Sequence, residues 1–189
     1  MRVNEVDTDA SLMQRFQAGD KEAFHALYER YAQSVLRYLF RMLGGDDSRA
    51  QDILQDVFLR VAGKPHYFNP EFRFSTWLFS IASNLCKNEY RYQAIRRNYD
   101  PSVDLDIYGQ KNADVDKKLD MKTFENALQA ELMQLETEQR SIFLLRHQEN
   151  YSIKEIARIL DCPEGTVKSR LFNVSKKLAS QLMDYHPEA

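Results

Sequence analysis

Apolar side chains recur at three- and four-residue steps through most of this 189-residue chain, the spacing that places them on one side of a helix. The first run, Phe24, Leu27, Tyr28, Tyr31, Val35, Tyr38, Leu39 and Met42, predicts a helix that Asp20 caps and that reaches about Leu43, where Gly44 and Gly45 stop it. After Asp46 and Asp47, a second helix buries Ala50, Ile53, Leu54, Val57, Phe58 and Val61 and ends near Gly63, with Pro65 close behind. A loop from about Lys64 to Phe74 leads into a third long helix, opened by Ser75 or Thr76. Its inward side is Trp77, Leu78, Ile81, Ala82 and Leu85, and it runs to about Arg97.

The pattern lapses between Asp100 and Asp120, where six aspartates face three lysines and Pro101 and Gly109 act as breakers. Periodicity then resumes at about Met121 to Leu135 and, capped by Thr137, at Glu138 to His147. The chain therefore reads as all-α: two small helical domains, residues 1–99 and 121–189, joined by an acidic linker over 100–120.

The last segment carries the most local detail. Ser152 and Glu155 have the spacing of a capping box, in which side chain and backbone satisfy each other's donors at a helix start. The helix to Leu160 buries Ile153, Ile156, Ala157 and Leu160. Asp161 and Cys162 make a short turn, Pro163 suits a first helical position, and a longer helix buries Val167, Leu171, Val174 and Leu178. A short helix, a tight turn and a longer amphipathic helix form the helix-turn-helix pattern, whose second helix enters the DNA major groove. The outward side of that helix is Thr166, Lys168, Ser169, Arg170, Phe172, Asn173, Lys176 and Lys177. It mixes cations for phosphates with groups able to read base edges. The same pattern also describes any two-helix corner with a solvated charged face.

Composition narrows the class. Six glycines and five prolines are about half the usual share, in keeping with long helices. No stretch approaches the ~18 apolar residues of a membrane span, so no direct membrane insertion is expected. Met1 to Ala10 carries Glu5, Asp7 and Asp9 where a signal peptide needs an apolar core; a cytoplasmic protein is the expectation. Cys86 and Cys162 lie too far apart for a paired ligand spacing and read as reduced structural thiols. Glu22 and His25 have the Glu-x-x-His spacing of carboxylate-bridged metal sites, but such sites need a second copy and further glutamates, so neither metal nor cofactor is expected. Gly-rich phosphate loops, G-x-S-x-G and H-E-x-x-H are absent from the sequence, so an enzyme would need an unmarked site.

The chain resembles bacterial sigma factors of the sigma-70 family, in particular the extracytoplasmic-function (ECF) group that keeps only the second and fourth conserved regions. In the amino-terminal half the likeness rests on Ala18-Gly-Asp-Lys-Glu-Ala-Phe24, on Ala50-Gln-Asp-Ile-Leu-Gln-Asp-Val-Phe-Leu59 and on Phe74-Ser-Thr-Trp-Leu-Phe-Ser-Ile-Ala-Ser-Asn84. In the carboxy-terminal half it rests on Tyr151-Ser-Ile-Lys-Glu-Ile-Ala157 and Glu164-Gly-Thr-Val-Lys-Ser-Arg-Leu171. The resemblance implies a protein that binds core RNA polymerase, recognises the minus-ten and minus-thirty-five elements of promoter DNA, and is held by an anti-sigma factor. It places Asp52, Gln55, Asp56 and Leu59 on the polymerase, an apolar leucine among acids and amides suiting a wet interface. It places Ser80, Asn84, Lys87, Asn88 and Arg91, read as a stripe opposite Trp77 and Ile81 and extended by Arg96 and Arg97, on the minus-ten element. Unstacked bases there need aromatic walls and amide donors, which His66, Tyr67, Phe68 and Asn69 can supply; the alternative is that these aromatics are core under the loop. Trp77 is read as core. The family's recognition helix often carries arginines where this chain has Asn173 and Ser175, so modest upstream affinity follows.

Two other classes stay open at this stage: a helix-turn-helix regulator with an amino-terminal dimerisation or sensor module, and an all-helical enzyme with an unmarked site. The net charge of −2 looks adverse for nucleic acid, but it is a cancellation. Residues 61–99 carry +4 and residues 163–177 carry +3, whereas 1–60 carry −2 and 100–120 carry −3.

Overall fold

The computed structural model describes residues 7–99 and 119–183, without the side chains of 97–99 and 119–122. Most of the expected linker at 100–120, and the side chain of Arg97, lie outside the described residues. Eight α-helices and one 3₁₀ turn occur among them, and no strand. In chain order they are α1 (Asp9–Gln17), α2 (Lys21–Met42), α3 (Asp47–Gly63), the turn at Pro65–Tyr67, α4 (Phe74–Tyr99), α5 (Leu119–Met133), α6 (Thr137–His147), α7 (Ile153–Leu160) and α8 (Glu164–Gln181).

Boundaries follow local chemistry. Asp20 accepts from the Glu22 and Ala23 amides, and Asp46 from that of Arg49, each satisfying donors that a helix start leaves free. Gly44 and Gly45 end α2 at φ 77° and 90°, a region L side chains avoid. The capping box of α7 forms completely, with Ser152 and Glu155 exchanging bonds. Three starts differ from expectation. α4 begins at Phe74 rather than Ser75 or Thr76, because Arg73 O accepts from the Thr76 and Trp77 amides. At α6, Thr137 is the first helical residue and Glu136 the cap, without a side-chain bond. Pro163 caps α8 in extended geometry, one residue ahead of the helix.

One helix was not expected. Thr8 caps α1, which buries Leu12 and Met13 against α2. Polar groups fix the docking: Arg15 pairs with Asp7 and Asp20, each at 2.7 Å, and Asp9 accepts from Arg30 and Tyr31.

α1 to α4 pack around one apolar centre, α5 to α8 around another, and the two join. Tyr38 of α2, Phe79 of α4 and Tyr151 before α7 stack edge to face at centroid spacings of 5.4 and 5.3 Å. The Tyr38 hydroxyl meets Ser141 Oγ at 2.7 Å in full burial. Each such aromatic contributes roughly 1.5–3 kcal/mol by leaving water. Arg140, 3% exposed, adds a polar rivet. Its guanidinium donates to Met42 O and Tyr90 Oη on one side, and to Leu132, Met133 and Leu135 carbonyls on the other. Met42 ends α2, so the cation also meets the negative end of a helix dipole.

Candidate functional site

α3 turns Ile53, Leu54, Val57 and Phe58 inward, and the same 100° step leaves Asp52, Gln55, Asp56 and Leu59 together on the exposed side. Leu59 is 67% exposed among them.

On α4 the expected stripe divides. Asn84, Asn88 and Arg91 are exposed, Ser80 is half-buried with its hydroxyl on Trp77 O at 2.7 Å, and Lys87 is drawn inward to Glu138 of α6 at 3.1 Å. The stripe is not opposite Trp77 and Ile81. Trp77 precedes Asn84, and Ile81 precedes Asn88, by seven residues, two helical turns, so each pair shares a side. Trp77 is half-buried rather than core. It and Ile81 form one wall of an open cleft of about 610 Å³, closed by Tyr67 and Lys64 of the loop and by Asp56 and Leu59 of α3. That volume lies in the range of small-molecule clefts, roughly 300–1,000 Å³. The sequence signal for the cleft was the loop aromatics, but only the fold brings them opposite Trp77.

The loop aromatics separate by burial. Tyr67 is 64% exposed, beside His66 and under the Lys64 ammonium. Phe68 is 6% exposed and packs on Phe74 and Trp77. For Phe68 the expectation of a base wall is corrected: with no polar atom to keep it at the surface, it folds under the loop as core. Asn69 is exposed, but its amide is engaged with Glu71, accepting from the backbone at 2.9 Å.

α7 and α8 form a helix-turn-helix whose turn places Asp161 in the left-handed region at φ 51°. Lys168, Ser169, Phe172, Asn173, Lys176 and Lys177 are exposed along α8, opposite buried Val167, Val174 and Leu178. Thr166 is half-buried. Arg170 departs from the outward expectation: it is half-buried and pairs with Glu138. Glu138 accepts from both Lys87 and Arg170, and these bonds, against some desolvation, hold its carboxyl below the usual range. Burial raises the carboxyl of Glu155, but bonds from Ser152 and Arg73 outweigh it and leave it lowered. Burial pushes the Cys86 thiol up to about 12, so it stays protonated and inert. Glu22 and His25 sit on the exposed side of α2, with His25 facing Glu29 at 3.3 Å.

The described residues make an all-helical protein with a helix-turn-helix corner. Residues 27–95 match the family model described as Sigma-70 region 2, and residues 125–178 that of Sigma-70, region 4. The ECF RNA polymerase sigma-E factor of Haemophilus influenzae is 34% identical over 185 residues, covering 93% of this chain and 95% of its own. That of Escherichia coli is 30% identical, with coverage of 93% and 94%. Among solved structures, CnrH in complex with the cytosolic domain of CnrY aligns at a TM-score of 0.70 and 23% identity over 96% of this chain and all of that one. RpoE of Bartonella quintana, in complex with the anti-sigma factor NepR, aligns at 0.69 and 20% over 85% and 96%. The chain belongs to the sigma-70 family, in its ECF group. It is an alternative sigma factor, a non-enzymatic subunit that directs transcription initiation by RNA polymerase.

Proposed function

We propose that three surfaces divide this activity. The exposed α3 residues Asp52, Gln55, Asp56 and Leu59 dock on core polymerase. Asn84, Asn88 and Arg91 of α4, with Ser80 and Lys87 at the margin, hold the minus-ten strand, and an unstacked base enters the cleft between Trp77 and Tyr67. α8 lies in the major groove of the minus-thirty-five element, with Lys168, Arg170, Lys176 and Lys177 on phosphates and Thr166, Ser169, Phe172 and Asn173 toward base edges. Residues 1–99 and 121–189 act as the two reading modules, joined through 100–120. The reading rests above all on α8, where exposed cations and donors line one side of a helix that a capped helix-turn corner presents.

No helix of the described residues is long and apolar enough to cross a membrane. A cytoplasmic site of action follows from the partner, since core polymerase works on the nucleoid. An anti-sigma factor is a further expected partner, supported by the RpoE complex with NepR.

Run-off transcription from a cognate promoter with core polymerase and the full chain tests the assignment. Leu59→Asp is expected to abolish initiation through lost polymerase binding. Replacing Asn84, Lys87 and Asn88 together by alanine is expected to abolish it with polymerase binding intact. Unchanged transcription from the triple variant overturns the minus-ten assignment. Tight binding of free protein to a palindromic duplex without polymerase would instead favour an ordinary helix-turn-helix regulator.

A further inference from the structure

Along the outward side of α8, most hydrogen-bonding groups are committed or one-sided before any DNA arrives. The Ser169 hydroxyl donates to Thr166 O at 3.1 Å, which leaves it only as an acceptor. The Arg170 guanidinium is turned to Glu138, and Thr166 is half-buried. Lys168, Lys176 and Lys177 are exposed but carry donors alone, and the exposed Phe172 has no polar side-chain atom. Asn173 differs from all of them. Its side chain is exposed, and its amide makes no hydrogen bond among the described residues. It therefore offers a donor and an acceptor side by side, both free.

Its place on the helix suits contact with base edges. Thr166 and Ser169 precede it by seven and four residues, two turns and one, so the three share a row turned away from buried Val167, Val174 and Leu178. Lys176 and Lys177 follow one turn later, one on either side of that row. A cation on each side meets the two phosphate backbones that wall a groove, which aims the row between them at the groove floor.

In the major groove adenine presents an acceptor, N7, beside a donor, the N6 amino group. Guanine presents two acceptors, thymine an acceptor and a methyl, cytosine a donor. Adenine alone satisfies both groups of one amide. We propose that Asn173 sets the base choice of the minus-thirty-five element at one pair: Oδ1 accepts from the adenine N6 amino group while Nδ2 donates to adenine N7. The lysines hold the helix on phosphates without regard to sequence, so the requirement for adenine is confined to that pair.

That role depends on α8 lying in the major groove of the minus-thirty-five element, as proposed above. Core polymerase reconstituted with the full chain is used to select bound promoters from a library randomised through that element. The wild-type chain is expected to favour adenine at one position by roughly five- to hundredfold. Asn173→Ala is expected to abolish that preference and no other. Asn173→Arg is expected to exchange it for guanine, whose N7 and O6 both accept from the arginine fork. At that position 7-deazaadenine, which lacks the N7 acceptor, is expected to weaken wild-type binding by roughly three- to tenfold and that of Asn173→Ala by less than about twofold. Lys176→Ala is the comparison, expected to weaken all upstream sequences alike. A uniform loss from Asn173→Ala would make Asn173 a phosphate contact, and loss of a preference for another base would exclude adenine; either overturns the proposal. A wild-type chain with no base preference anywhere in the element would instead overturn the groove placement of α8, and the proposal with it.

Discussion

Arg140 shows how much one side chain carries here. Its guanidinium is buried without a carboxylate partner and is stabilised instead by four backbone carbonyls and the Tyr90 hydroxyl. The fork geometry matters, because a lysine ammonium has three donors on one point and cannot span carbonyls on two sides. Arg140→Met takes the guanidinium donor from the Met133 and Leu135 carbonyls, while Met42 O keeps the Tyr90 hydroxyl and Leu132 O the Leu135 amide, and is expected to cost about 1–3 kcal/mol in denaturant unfolding. Arg140→Lys is expected to recover little of it. Glu138 and Glu155 set a pH dependence. Both carboxyls are held below their ordinary values in the folded chain, so their contribution is fully present above the unfolded carboxylate range and is lost as pH falls through the depressed values. Thermal melts from pH 7 downward are expected to fall slightly as the His147 imidazole, held below its ordinary value by burial, charges in the unfolded chain, and to fall more steeply below roughly pH 5. The fall should be shallower in Glu138→Gln; an unchanged slope would show that the pairs with Lys87 and Arg170 are not stabilising.

At the scale of elements, α7 is the most dependent on its cap. It has eight residues and is held by the capping box and by burial of Ile156, Ala157, Ile159 and Leu160. Ser152→Ala is expected to cost about 1 kcal/mol and to raise hydrogen exchange locally in α7, with α2 unaffected. α3 offers the opposite case. Leu59 is exposed, so Leu59→Asp should change stability by less than about 0.5 kcal/mol while removing polymerase binding; a large loss of stability would mean that Leu59 is core after all.

Elements are also where sequence and structure can be compared. α2, α3 and α8 were legible because their apolar residues hold the helical period over four or more turns and acidic or proline residues mark their starts. α1 was not, since nine residues with Leu12, Met13 and Phe16 span too few turns to rise above background. Its place comes from burial of Leu12 and Met13 against α2 and from Asp9 accepting from Arg30 and Tyr31, 21 and 22 positions away. The exposed α3 side was fully legible, because burial of one side of a regular helix dictates the other. Phe68 and Tyr67 were not separable, since adjacent loop residues have no period to say which turns in.

For the molecule as a whole, the two helical groups share one continuous core through Tyr38, Phe79, Ser141 and Tyr151. Tyr38→Phe keeps the ring and deletes the bond to Ser141. It is expected to cost about 1–2 kcal/mol, and near- and far-ultraviolet probes should still report one coincident transition. Two separated transitions would show that the groups unfold independently. Near-neutral net charge fits the same picture: residues 61–99 and 163–177 are basic, and Arg73, Lys87 and Arg170 within them are paired with Glu155 and Glu138.

The sequence alone determined α2 to α8, the caps of α2 and α7, the exposed side of α3, most of that of α8 and the family resemblance, all of which depend on residues near one another along the chain. Only the tertiary structure decided that Lys87 and Arg170 meet one carboxylate, that Arg140 ties the end of α2 to the start of α6, and that Trp77 faces Tyr67 across a cleft. Those contacts join residues 10 to 98 positions apart. Local periodicity says which side of a helix is buried; it cannot say which other helix covers it.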